Sequence, residues 1–136
     1  MRKRIAVIDF DGTICEHRFP LIGDPMPGAF EVMKELKEAG WVLILWTCRE
    51  NDGHKIEKQF LKDAVEFCKE NGVEFDGINE TPLEFEFRDE KSPNRKVYGD
   101  VYIDDRNLGG FPGWAFVRAI LIENRKPTLL VGDPPK

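Results

Sequence analysis

The stretch Ile5-Ala6-Val7-Ile8-Asp9-Phe10-Asp11-Gly12-Thr13 decides how the chain is read. Its first four residues are an unbroken apolar run, mostly β-branched, which suits a strand buried on both faces. Two acids and a glycine then stop the run abruptly. Two carboxylates two residues apart, just beyond a buried strand, make a site for a hard cation such as magnesium. A turn would use the same residue types, so Asp9-Phe10-Asp11-Gly12-Thr13 needs company before it carries chemistry.

Working outward, the same layout recurs twice. Trp41 to Trp46 is a second apolar run, read as a central strand, and Thr47-Cys48-Arg49 follow it. A hydroxyl and free backbone N–H groups at a strand terminus suit the holding of phosphoryl oxygens. Arg49 is read either as a contact to substrate phosphate or as the partner of a surface acid. Val101-Tyr102-Ile103 is a short strand ending in Asp104-Asp105. Adjacent acids there repel each other unless a cation stands nearby. Lys96, just upstream, can supply positive charge to the same region.

Between these runs the chain alternates. Pro27-Gly28 opens a helical pattern with Phe30, Met33 and Leu36 on one face, and Gly40 stops it. From about His54 to Asn71 the residues Ile56, Phe60, Leu61, Ala64, Val65, Phe67 and Cys68 form one stripe ended by Gly72. Phe75 to Ile78 reads as a short strand, Trp114 to Asn124 as a helix and Thr128 to Val131 as a last strand. Asn79 to Arg95 is awkward, with two prolines and eight charged residues; its Leu83, Phe85 and Phe87 alternate with Glu84 and Glu86, as in an edge strand or hairpin. Strands alternating with helices predict an α/β fold, a three-layer sandwich around a central, mostly parallel sheet. Such sheets gather ligand sites at the carboxyl ends of their strands.

Composition limits the alternatives. The 136 residues suit one domain, 1–136, and 41% apolar content supports a substantial core. The net charge of −5 gives no electrostatic footprint for nucleic acid. Cys15, Cys48 and Cys68 lack metal-ligand spacing and are odd in number, as expected of reduced thiols in a cytoplasmic protein. The apolar run behind Met1-Arg2-Lys3-Arg4 is too short for a signal peptide or a membrane span.

In this order the residues resemble the haloacid dehalogenase-like superfamily of phosphotransferases. Asp9-Phe10-Asp11-Gly12-Thr13 is similar to its first motif at every defining position, Thr47 to the second, Lys96 to the third and Asp104-Asp105 to the fourth. The resemblance spans Ile5 to about Asn107. It implies a Rossmann-like fold and a magnesium-dependent phosphatase acting on a phosphomonoester. Asp9 would be the nucleophile that becomes an aspartyl phosphate, and Asp11 the general acid and base. Asp9, Asp11 (through its backbone carbonyl), Asp104 and Asp105 would hold Mg2+, while Thr47 and Lys96 hold the phosphoryl oxygens. Cys48 and Arg49 stand where many members carry Gly or Asn, so they join the phosphate-binding candidates. Dehalogenases of the superfamily lack the second acid, so Asp11 favours phosphoester hydrolysis. The family's lysine usually opens a helix; Lys96 lies in a short connection, which leaves Lys91 as a weaker candidate.

The stretches between the motifs leave no room for a cap domain, which implies a capless member. Its open site takes a large substrate or is covered by a second copy of the chain. His17 and Arg18, in the loop from Cys15 to Met26, and the segment Glu80 to Lys91 would form the rim. The substrate is a phosphorylated small molecule or an exposed phosphate on a larger molecule. The capless layout also resembles the superfamily's polynucleotide 3′-end phosphatases, which the acidic balance disfavours, and a non-catalytic phospho-ligand-binding module is the reading from another class.

Overall fold

The computed structural model describes residues 2–51, 59–85 and 95–125. Four strands, β1 (Ile5–Ile8), β2 (Val42–Leu45), β3 (Gly77–Ile78) and β4 (Val101–Ile103), form one sheet in the order β3-β2-β1-β4. All pairings are parallel, with Ile5 opposite Val42 and Ala6 opposite Val101. The helices are α1 (Ala29–Glu38), α2 (Phe60–Glu70) and α3 (Trp114–Leu121). No large cap interrupts the described residues, and the α/β class with a parallel sheet is as expected.

β1 and β2 read as unbroken apolar runs because neither has a solvent face: all eight of their residues are buried. The period-2 alternation of the strands still divides the core. Ala6, Ile8, Leu43 and Leu45 meet residues of all three helices, among them Met33, Leu36, Ala64, Cys68, Trp114 and Val117. Ile5, Val7, Val42 and Ile44 point the other way, against Val97, Phe85, Tyr98 and Tyr102. The two outer layers therefore differ in kind. Among the described residues, helices cover one face, and a 3-10 turn with extended segments covers the other.

Local signals explain the element ends. Gly28, at φ 78°, precedes α1, and Gly40, at φ 93°, follows it; both are left-handed positions where a side chain is strained. Between them Phe30, Val32, Met33 and Leu36 are buried on one face, and Leu36→Ala should cost about 2–5 kcal/mol. Two acids serve the sheet's amino end. Asp100 accepts the Ile5 N–H at 2.8 Å and Asp76 accepts the Leu43 N–H at 2.9 Å.

Several sequence expectations change. Leu83 and Phe85 do not form an edge strand; Leu83–Phe85 is a single 3-10 turn, closed by the Phe85 N–H on the Pro82 carbonyl at 2.9 Å. Pro82 favours that bend, and it sends Phe85 onto the second core while Leu83 stays exposed. The helix expected to end at Asn124 ends at Leu121, and Asn124 takes a left-handed conformation. The start of the 54–71 stripe, Phe87, Lys91 and the 128–131 strand lie outside the described residues. Among the described residues, no helix is long and apolar enough to cross a membrane.

Candidate functional site at the strand ends

Because β1 sits between β2 and β4, three carboxyl ends lie side by side. Asp9 follows β1 directly, and its N–H donates to the Ile103 carbonyl at 2.9 Å, fixing the β1 and β4 ends together. Asp104 and Asp105 follow β4. Carboxylate oxygens of Asp9, Asp104 and Asp105 all lie within 4.8 Å of one another. The Thr13 hydroxyl donates to Asp9 Oδ2 at 3.3 Å.

Gly12 makes this convergence possible. It sits at φ 87°, and a Cβ there would fall 2.1 Å from Asp105 Oδ2. Glycine is thus required twice, for the turn and for the approach of the β4 acid. The loop it belongs to is anchored from behind, where buried Trp114 donates its indole N–H to the Thr13 carbonyl at 2.7 Å. Asp104 has a turn role as well, since its Oδ1 accepts the Arg106 N–H at 2.8 Å.

Three acids so close cannot all carry charge without help. Burial, then the charge of Asp104, then a hydrogen bond and the charge of Asp105 push the Asp9 carboxyl up to about 8. A backbone hydrogen bond from Phe10 offsets this only in part. The donors are all oxygen, which fits magnesium and not a soft metal. A divalent cation would offset the part of this rise that comes from the charges of Asp104 and Asp105.

At the end of β2, the Thr47 N–H donates to Asn79 Oδ1 at 2.8 Å, and the Thr47 hydroxyl accepts the Arg49 N–H at 3.1 Å. Asn79, at φ 56° beyond β3, positions the Thr47 backbone. Cys48 is exposed. Arg49 pairs with an acid, as one of its two sequence readings had it, and it also lines the cavity described below. Its side chain is 1% exposed and grips Asp11 through two bonds, Nε to Oδ2 and Nη2 to Oδ1, each 2.8 Å. It also donates to the carbonyls of Leu21 (2.9 Å), Pro20 (3.4 Å) and Phe60 (3.4 Å). Its partner is a site acid, not a surface one. This fork explains why Asp11, two residues from Asp9, stands outside the cluster of three.

A cavity of about 490 Å3 opens over these groups, lined by Asp9, Asp11, Thr47, Cys48, Arg49 and Asp104. Its walls add Phe19, Trp46, His17 and Arg106. Lys96 is not among them; its Nζ stands 4.9 Å from the Tyr102 ring centroid. Arg18 also turns away and pairs with Glu16 at 2.7 Å and Asp24 at 3.6 Å. Among the described residues, the basic side chains at the cavity are thus Arg49, Arg106 and His17. The sequence did not single out Trp46, Phe19 or Asn79 as site residues. Trp46 had a usable signal: it is the last residue before the Thr47 strand end.

No family model and no curated protein sequence matches the chain. Among solved structures, a conserved protein from Bacteroides thetaiotaomicron, described as coded by a locus of that organism, superposes with a TM-score of 0.75. It is 36% identical, over 92% of this chain and 94% of that one. The chain belongs to the same family as that conserved protein.

Proposed function

We propose that this member of the family is a magnesium-dependent phosphohydrolase of the haloacid dehalogenase-like type, cleaving a phosphomonoester through an aspartyl phosphate on Asp9. One observation carries the reading: Asp9, Asp104 and Asp105 converge at the tips of adjacent parallel strands, and Asp9 and Asp104 line a cavity that Thr47 also lines. Sites in parallel sheets gather at such ends, and the oxygen-only donor set fits a hard cation.

Asp9, Asp104 and Asp105 would hold magnesium, which when bound offsets the repulsion between the Asp9 carboxylate and a phosphoryl dianion. An Asp9 oxygen attacks phosphorus, the bond from phosphorus to the ester oxygen breaks, and Asp11 delivers a proton to the departing oxygen. Asp11 then takes a proton from water, whose oxygen displaces phosphate from Asp9. Both Asp11 oxygens start in the Arg49 fork. In that fork Asp11 is an ion-paired carboxylate, so before the first transfer it leaves the guanidinium and takes up a proton from solvent, and after the second it returns that proton to solvent as it re-forms the Arg49 pair.

Thr47, with its backbone fixed by Asn79, is the proposed phosphoryl contact from β2. Lys96 is left without a part unless the 95–100 segment moves. Arg106, beside Asp104 on the cavity wall, is the better-placed cation. The unpaired thiols Cys15, Cys48 and Cys68 fit a reducing compartment, and the cytoplasm is the proposed location.

The test is a magnesium-supplemented screen of phosphate esters (sugar phosphates, nucleotides, oligonucleotide ends and phosphopeptides) with the Asp9→Asn protein as control. Hydrolysis that needs both magnesium and Asp9 supports the reading. Absence of turnover on every class, or turnover that survives Asp9→Asn, rejects it.

A further inference from the structure

The cavity is far larger than a phosphoryl group needs, and two large aromatic side chains, Phe19 and Trp46, are among the residues that line it. About 490 Å3 falls within the range of roughly 300–1,000 Å3 typical of small-molecule sites. Asp9, Asp11 and Asp104 line its acidic part. Phe19 and Trp46 form walls that come from opposite sides of the sheet: Phe19 packs on Phe60 at the start of α2, and Trp46 packs on the helix-free face.

Phe19 is 48% exposed, and an exposed apolar side chain alone would mean little. Its setting gives it meaning. The loop that carries it is fastened by Glu16 N–H to the Asp24 carbonyl and by Met26 N–H to the Ile14 carbonyl, both 2.8 Å. Buried Arg49 donates to the carbonyls of the two residues that follow Phe19, Pro20 and Leu21. The ring itself meets Phe60 edge-on at 5.2 Å and the Arg49 guanidinium at 5.1 Å. It is therefore supported from behind, with its free surface turned to the cavity. Trp46 is held similarly, half-buried, with its ring 5.9 Å from that of Tyr102. Rigid aromatic surfaces of this kind cost little ordering when a flat ligand group arrives.

We propose that the alcohol portion of the phosphate ester carries a planar aromatic ring, and that Phe19 and Trp46 are the specificity-determining residues that receive that ring. This rests on the phosphohydrolase reading of the same site. An aryl phosphate and a nucleotide share this chemistry.

The experiment compares phenyl phosphate, adenosine 5′-monophosphate and glycerol 2-phosphate, with magnesium, on wild type, Phe19→Ala, Phe19→Leu and Trp46→Leu. Intrinsic reactivity differs between the esters, so the quantity read is each variant's loss in kcat/KM on an aromatic ester divided by its loss on glycerol 2-phosphate. The expected ratio is about tenfold for Phe19→Ala and smaller for the leucine variants, which keep apolar bulk. Binding is read separately by calorimetry on Asp9→Asn, where the aromatic esters should bind several-fold more tightly than glycerol 2-phosphate and lose that advantage when Phe19→Ala is added. Preference for either aromatic ester supports the inference and tells aryl from nucleotide. Equal losses on all three esters overturn it while leaving the phosphohydrolase reading intact, as does an aromatic preference that survives the Phe19 and Trp46 changes. Hydrolysis of none of the three by wild type overturns the leaving-group inference, and the broader screen then decides the underlying reading.

Discussion

Without metal, the three acids at the strand tips should weaken the fold they sit on, and Asp9→Asn should strengthen it while abolishing turnover. Burial and the neighbouring Asp104 and Asp105 push the folded Asp9 carboxyl from 3.8 up to about 8. Between those values the folded chain holds a proton that the unfolded chain has lost. Stability therefore falls as pH rises through that window and levels off above about 8. At about 1.36 kcal/mol per pH unit the ceiling is near ~6 kcal/mol. Asp9 keeps part of its surface in water, and the acids share the strain among them, so roughly 2 kcal/mol is the working figure. In a chain of this size that is about 6–8 °C in Tm. The assay is thermal melting of wild type and Asp9→Asn at pH 6.0 and 8.5, with chelator or with millimolar magnesium. In chelator at pH 8.5 Asp9→Asn should melt higher than wild type, and at pH 6.0 the gap should shrink. With magnesium the order should reverse, because wild type gains the binding free energy of the ion. Equal melting of the two proteins in chelator at both pH values, together with no magnesium shift of wild type, would refute the electrostatic reasoning.

Gly12→Ala should cost about 1–2 kcal/mol for its left-handed backbone and at least tenfold in magnesium affinity, because the new methyl takes the place of Asp105 Oδ2; calorimetric titration with magnesium alone checks this. Arg49→Gln leaves the half-buried Asp11 without its partner and three carbonyls without their donor, and should lower stability by about 2–4 kcal/mol in urea titrations. Combining it with Asp11→Asn should recover at least ~1 kcal/mol of that loss, and strict additivity would count against a direct pair. Of the three thiols, burial pushes Cys15 up to about 11 and Cys68 up to about 12, whereas Cys48 is exposed at the cavity. Iodoacetamide at pH 8 should therefore add once per native chain by mass spectrometry, raise KM, and leave Cys48→Ser unaffected.

How far the sequence could be read depended on the range of the interaction concerned. β1 and β2 were legible because strands buried on both faces must be apolar throughout, and nothing beyond their own residues is needed to see it. The convergence of Asp9 with Asp104 was legible too, since parallel topology places strand ends together. Arg49 was not. Its partner Asp11 lies 38 positions away, and no local pattern distinguishes a buried guanidinium from a solvated one. Leu83 and Phe85 misled because alternation over a few residues fits a 3-10 turn after proline as well as a strand. Lys96 was chosen by order along the chain, which says nothing of direction, and its side chain turned to Tyr102.

The Arg49 fork also shapes the electrostatics of the whole site. Four acids meet near the strand ends, and a dianionic ester could not approach them all unpaired. By matching Asp11 with a buried cation, the fold removes one acid from the repulsive set and leaves three converging where a single divalent ion can offset most of their charge. The same guanidinium reaches the carbonyls of Pro20 and Leu21, so the loop that presents Phe19 is tied to the acid that would move protons. Turning Asp11 towards a substrate would then loosen that loop's anchor at the moment the aromatic wall is occupied. In the proposed phosphohydrolase, acid-base chemistry and leaving-group recognition would be coupled through one buried side chain, which would take over part of what an inserted cap does.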